Sequence, residues 1–293
     1  MTSGTTTGAA APTTAAARKD RLTWSLRGRG PQDIPVATDV GPVPSAAAVA
    51  GSGRGVRVCV VDSGVERDHP LVGPLAGAWV VVKDDEGGIE VRETDTGDTC
   101  GHGTACAGII RRTAPECELY SVRVLGERFS GTGDILLAGL RWAVEQGFDV
   151  INLSLSTTRV RFAEELHALA DHAYFNRTVI VASAHNTPVE SYPWRFASVI
   201  SVGSHQEDDP GLHLYNPDPP VEFFAPGQNV EVAWLGGGAI RTTGNSFATP
   251  FVAGLCARIL SVHPRMTGFQ LKSALYLSAA NVQVLPNGSK GAP

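Results

Sequence analysis

The sequence predicts a three-layer α/β/α domain with a mostly parallel central sheet. Three observations lead there. Short β-branched runs alternate with helix-length segments from Val56 onward. The runs are apolar throughout rather than alternating, as strands covered on both faces must be. And 43% of the 293 residues are hydrophobic, enough for a large core.

Each element can be justified in order. Residues 1–17 are Thr, Ala, Gly and Pro without apolar periodicity, a composition too polar to bury a core. Residues 18–30 carry Arg18, Lys19, Arg21, Arg27 and Arg29 around Leu22 and Trp24, which reads as a solvated basic tail. Residues 31–55 are rich in Pro and Gly, with a short Ala-rich helix expected near 45–50. Residues 1–43 are thus expected to be an extension, 44–286 the folded domain and 287–293 a tail. Val56–Val61, Leu119–Leu125, Val150–Leu155, Val179–Ser183 and Val199–Val202 read as buried strands. Asp134–Gln146 reads as a helix that Gly147 stops. Phe162, Leu166, Leu169, Ala170 and Ala173 line one face of a second helix. Phe247–Val262 is apolar nearly all round and should be a central buried helix, and Gly268–Ala280 a final amphipathic one.

Composition excludes several function classes. A net charge of −5 gives no basic footprint for nucleic acid. The longest apolar run, Phe247–Val262, contains Pro250 and Arg258 and is shorter than the roughly 20 residues a membrane span needs. No charged, then apolar, leader precedes the domain, and five scattered Cys do not make a small disulfide framework. A cytoplasmic location is the expectation.

Three segments carry the chemistry. Asp62 follows the strand Val58-Cys59-Val60-Val61, at the carboxyl end where open α/β sheets place their sites. His102 lies between Gly101 and Gly103 and leads a run of small residues, Thr104-Ala105-Cys106-Ala107-Gly108. Ser246 follows Gly244-Asn245 and opens the buried helix, where the dipole favours a nucleophile, with Pro250 expected in the first turn. Asn186 leaves the strand Val179–Ser183 at the same edge and could donate to an oxyanion. Each alone has an ordinary reading: a turn Asp, a loop His, a helix N-cap Ser, an Asn before a Pro-containing turn. Asp, His and Ser together, in these settings, point to a nucleophilic hydrolase.

The segments Val60-Val61-Asp62-Ser63-Gly64, Gly101-His102-Gly103-Thr104 and Gly244-Asn245-Ser246-Phe247-Ala248-Thr249-Pro250 resemble the signatures of the subtilisin-like serine proteases, the subtilase family. The resemblance covers roughly Pro44 to Val284. It implies a subtilisin-like fold and a serine endopeptidase, of an intracellular type, working through an acyl-enzyme on a peptide or protein substrate. Ser246 would be the nucleophile, His102 the base, Asp62 its orienting carboxylate and Asn186 the oxyanion donor. Two backbone edges, Gly131-Thr132-Gly133 and Ser154-Leu155-Ser156, would clamp an extended substrate. Ile135 would lid the pocket for the fourth residue before the cut, and Ser183 and His185 would line the site. No cofactor or metal is expected; Cys100, His102 and Cys106 could be grouped as a zinc cluster, but no C-x-x-C pair supports it.

Several features depart from the resemblance. Gly108 to Pro115 runs straight on where the family's strong calcium loop is inserted. Residues 1–50 are too short for a folded pro-domain. His185 stands where Gly is usual. Glu190 and Ser191 would fall near the floor of the pocket for the residue before the cut, unless Glu190 faces water. Cys106, one turn below His102, implies sensitivity to mercurials. Without leader or pro-domain, maturation of a precursor peptide or partner protein is the expected role. The alternative is a retired protease that serves as a binding scaffold.

Overall fold

The computed structural model describes residues 50–127, 131–207, 209 and 211–282. The basic tail, most of the expected Ala-rich helix and residues 287–293 lie outside these. In chain order the strands are β1 (Arg57–Asp62), β2 (Gly77–Lys83), β3 (Ile89–Glu93), β4 (Glu118–Arg123), β5 (Val150–Leu153), β6 (Val179–Ser183), β7 (Ile200–His205), β8 (Leu214–Tyr215), β9 (Phe223–Pro226), β10 (Val230–Trp234) and β11 (Gly238–Thr242). The helices are α1 (His102–Thr113), α2 (Gly133–Glu145), α3 (Ala163–Phe175), α4 (Asn245–Val262) and α5 (Gly268–Ser278).

Among the described residues, nine strands form one sheet in the order β3-β2-β4-β1-β5-β6-β7-β9-β8. Pairing from β2 across to β9 is parallel, and β3 and β8 add antiparallel edges. Successive side chains of a strand point to opposite faces, and the core divides accordingly. Val58 and Val60 join α1, α4 and α5 in one apolar cluster. Cys59 and Val61 join α2 and α3 in the other. The three-layer expectation is met.

From β1 the chain builds β2, β3 and β4 on one side and then crosses to β5 on the other, so β1 is where the strand order reverses. Crevices for ligands open at the carboxyl ends of strands beside such a reversal. Asp62 ends β1, Ser154 directly follows β5 and Ser183 ends β6.

Two expected strands run shorter for local reasons. The strand read as Leu119–Leu125 stops at Arg123 because Val124 and Leu125 both turn their N–H groups to the Asp62 carbonyl. The one read as Val150–Leu155 stops at Leu153, where Ser154 turns its hydroxyl onto the Ser246 carbonyl. Helix α4 is long and apolar enough to cross a membrane by composition alone, but 72% of it is buried inside the fold. It is a core helix, as expected.

Helix α1 packs tightly on α4. A Cβ added at Gly254 of α4 would sit 2.6 Å from the Thr113 Cβ of α1. On its other side, α1 meets the β10–β11 hairpin, where a Cβ at Gly108 would sit 2.9 Å from Ala233. Glycine permits both approaches.

Helix α1 runs unbroken to Thr113 through the stretch where the family resemblance would insert a calcium loop. In its last turn the Arg111 guanidinium donates to the carbonyls of Val72, Pro74, Pro115 and Cys117 at 2.8–3.2 Å. One fixed cation thus joins the loop after β1 to the loop before β4. Arg111→Ala strands these carbonyls, and hydrogen bonds to a charged group contribute about 1.5–3 kcal/mol each. Urea unfolding is expected to show a loss of about 3 kcal/mol or more. A change within experimental error would show that water replaces the guanidinium without cost.

Candidate active site

The site begins with a carboxylate that has no water. Asp62 is 0% exposed at the end of β1. A buried charge must be partnered, and its Oδ1 accepts from the Ser63 N–H and from His102 Nδ1, each at 2.8 Å. A carboxylate only accepts, so Nδ1 carries the proton and Nε2 is the basic nitrogen. His102 is the first residue of α1 and lines the cleft.

The start of α1 is fixed by a second carboxylate, Asp98, which sequence reading did not single out. Its Oδ1 accepts from Ser63 Oγ and the Cys100 N–H. Its Oδ2 accepts from the Thr104 N–H and Thr104 Oγ1. Ser63 Oγ in turn accepts from the Gly103 N–H at 2.9 Å. A signal was present: Asp98 lies just ahead of the helix, where a side-chain oxygen can accept from first-turn N–H groups. Gly101, with φ 91°, makes the turn into the helix, and its left-handed backbone suits glycine.

Burial pulls the pKa of His102 down. The charge and hydrogen bond of Asp62, with the charge of Asp98, raise it by more, so it ends above the ordinary histidine value.

Ser246 is the second residue of α4, because the helix begins at Asn245. Pro250 therefore lies inside the helix, not in its first turn as expected. The proline has no N–H to give to the carbonyl four residues back, and that carbonyl is Ser246's. It accepts instead from Ser154 Oγ at 2.9 Å and from Cys106 Sγ at 3.6 Å. Asn152 Nδ2 donates to Ser154 Oγ from within β5 at 3.1 Å.

Asn245 ties the start of α4 to the sheet. Its Oδ1 accepts from the N–H and hydroxyl of Ser204 on β7. Its Nδ2 donates to the carbonyls of Ala184 and His185 after β6. Its own N–H donates to Asn186 Oδ1 at 3.0 Å. Only the amide oxygen can accept that bond, which assigns Nδ2 of Asn186 as a donor.

One cleft of about 540 Å³ gathers most of the sequence-predicted residues: His102, Gly131, Thr132, Gly133, Ser154, Leu155, Ser156, Ser183, His185, Asn186 and Ser246 all line it. Asp62 lies behind His102, out of solvent. Ile135 does not line this cleft; it lines an adjoining depression with Val80, Val81 and Leu125, while Leu136 borders the cleft itself. Thr132 Oγ1 caps α2 by accepting from the Ile135 N–H at 3.4 Å.

Glu190 is not on the floor of the cleft. It is exposed and pairs with Arg195 at 2.9 Å and with the Tyr192 hydroxyl at 3.2 Å. Ser191 is fully buried, its Oγ bonded to Ser156 Oγ at 3.0 Å and to Trp194 Nε1 at 2.8 Å. Neither brings a charge to the cleft.

His185 Nδ1 lies within hydrogen-bond distance of the Thr187 N–H at 3.1 Å, its hydroxyl at 2.9 Å and its carbonyl at 3.2 Å. Cys106 is wholly buried, and burial pushes its thiol pKa well up. The described metal-type ligand group is Asp62, His102 and Cys106; Cys100 is not part of it. Within that trio one carboxylate oxygen is already given to the imidazole.

Known proteins share this framework. A sequence model described as the subtilase family matches residues 53–291. The chain is 34% identical over 224 residues to an "Intracellular serine protease" of Paenibacillus polymyxa, covering 71% of this chain and 67% of that protein. It is 30% identical over 264 residues to Subtilisin E of Bacillus subtilis (strain 168), covering 85% of this chain and 66% of that one. The chain thus spans about two thirds of these two relatives. Among solved structures, a cold adapted subtilisin-like serine proteinase aligns with TM-score 0.61 at 27% identity, covering 76% of this chain and 81% of that one. Sphericase aligns with TM-score 0.63 at 26% identity, covering 76% and 83%. With the family match extending over most of its length, the chain belongs to the subtilase family and is a serine-type endopeptidase.

Proposed function

We propose that the cleft hydrolyses peptide bonds through an acyl-enzyme on Ser246, with His102 as general base and acid, Asp62 as its orienting anion and Asn186 as an oxyanion donor. The observation that carries this reading is the 2.8 Å hydrogen bond from His102 to a fully buried carboxylate, beside a cleft that Ser246 also lines.

The steps follow from the groups present. A substrate enters extended between the Gly131–Gly133 and Ser154–Ser156 edges, held by main-chain hydrogen bonds. His102 Nε2 takes the Ser246 hydroxyl proton as Oγ attacks the carbonyl carbon. The imidazolium that forms is stabilised by Asp62. The first N–H groups of a helix have no intrahelical acceptor, so the Ser246 N–H is free to serve the oxyanion beside Asn186 Nδ2. The helix dipole of α4 adds positive potential there. His102 then protonates the leaving amine, and water hydrolyses the acyl-enzyme by the same steps in reverse roles.

We place this activity inside the cell, on a precursor peptide or a partner protein. The likeness to a relative named an intracellular serine protease supports the location. Immunodetection in cytosol rather than culture medium is the expected result, and recovery in the medium alone would refute it.

A fluorophosphonate probe is expected to label Ser246, with labelling lost in Ser246→Ala. Label on another serine would sink the assignment. Asn186→Leu is expected to lower kcat about a hundredfold or more with KM little changed, the scale known for an oxyanion donor in subtilisin itself.

His102 must be neutral to act as base. Its pKa is raised, so activity is present above that pKa and lost as pH falls through it. The acid limb of kcat/KM is therefore expected above the ordinary value of about 6.5. Asp98→Asn removes one raising charge and is expected to move that limb to lower pH. A shift to higher pH in this variant would contradict the electrostatic account.

A further inference from the structure

A second depression, about 480 Å³, opens from the cleft between its two backbone edges. It shares Gly131–Gly133, Ser156, Thr157 and His185 with the cleft and extends past them to Arg159 and Arg161. Its walls offer donors: two guanidiniums and the hydroxyls of Ser156, Thr132, Thr157 and Thr158. Among the described residues, no carboxylate lines it.

The two arginines are differently placed. Arg161 lies 3.4 Å from Asp134 and stacks over the Phe162 ring at 4.5 Å, so it is held in position and half neutralised. Arg159 has no carboxylate partner among the described residues, while the Thr157 hydroxyl accepts its backbone N–H at 3.2 Å and fixes the turn that presents it. Glu190 pairs with Arg195 and lines a different depression. The local balance is a net positive charge in a concave wall.

We infer that this depression selects substrates with an acidic side chain a few residues before the cut, with Arg159 as the specificity-determining residue. The inference rests on the peptidase reading of the cleft and adds a substrate class to it. An extended substrate advances about 3.3 Å per residue. In the proposed clamp the edges hold the residues before the cut. Residues 156–159 lie two to five positions on from Ser154, which touches the Ser246 carbonyl, so this stretch faces substrate side chains about two to four residues before the scissile bond, Arg159 reaching back along it. A carboxylate there accepts the fork of the Arg159 guanidinium.

The test uses the full chain and internally quenched peptides of one frame, with Glu, Gln or Lys placed in turn at the second, third and fourth positions before the cut. At one of these positions Glu is expected to exceed Gln about fivefold in kcat/KM, with Lys lowest. That preference is expected to shrink as salt screens the pair, and Arg159→Glu should invert it toward Lys. Cleavage with all three residues within twofold at every position, while the fluorophosphonate still labels Ser246, overturns this inference alone. A Glu preference that survives Arg159→Glu also overturns it. Neither cleavage nor labelling in folded protein overturns the peptidase reading, and the inference with it.

Discussion

The fold is organised around a negative charge taken out of water at the end of β1. Removing a carboxylate from solvent costs several kcal/mol even after relaxation, so Asp62 dictates what surrounds it. It accepts from the next backbone N–H and from His102. That second bond requires α1 to begin within reach, and Asp98 sets the start by binding the Thr104 N–H and, through Ser63, the Gly103 N–H. The imidazole sits near two anions in a poorly hydrated place. Its pKa is therefore raised, the bias that the proposed role of general base near neutral pH would use.

The placement of Ser246 depends on a missing hydrogen bond. Because Pro250 cannot donate to the Ser246 carbonyl, the first turns of α4 are joined to neighbours rather than to themselves. Ser154 takes up that carbonyl, which is why β5 ends at Leu153 and the following residues turn into the cleft wall. Asn245 does the corresponding work toward β6 and β7. Ser246 is thus held from the sheet side by Ser154, which lines the cleft just after β5, and through Asn245 by β7 and the end of β6.

The central strands and main helices were legible because continuous β-branched runs have few alternatives in a chain of this size. Val179–Ser183 matches to the residue. The antiparallel margins were not legible. β2, β3 and the β10–β11 hairpin are half exposed and mix charge with apolar residues, so they give no clean period. In the site, Asp62, His102, Ser246 and Asn186 stood out because their local settings are unusual. Asp98 and Asn245 did not, since their work lies in side-chain bonds to segments distant in sequence. Pro250 was misplaced because the helix boundary was set two residues late. Spacing left Glu190 between the pocket floor and the solvent, and it faces water because Arg195 and Tyr192 draw it outward.

The close approach of Gly254 to Thr113 has a consequence for how this molecule can change over evolutionary time. His102 sits at one end of α1 and Ser246 at one end of α4, so in the proposed mechanism the distance between base and nucleophile is set by how these helices nest in the interior. A bulkier residue at the contact would wedge the helices apart and misalign two reacting groups that it never touches. Drift in the core is therefore filtered by turnover as well as by folding, and a lineage that lost the reaction would be free to loosen this seam first.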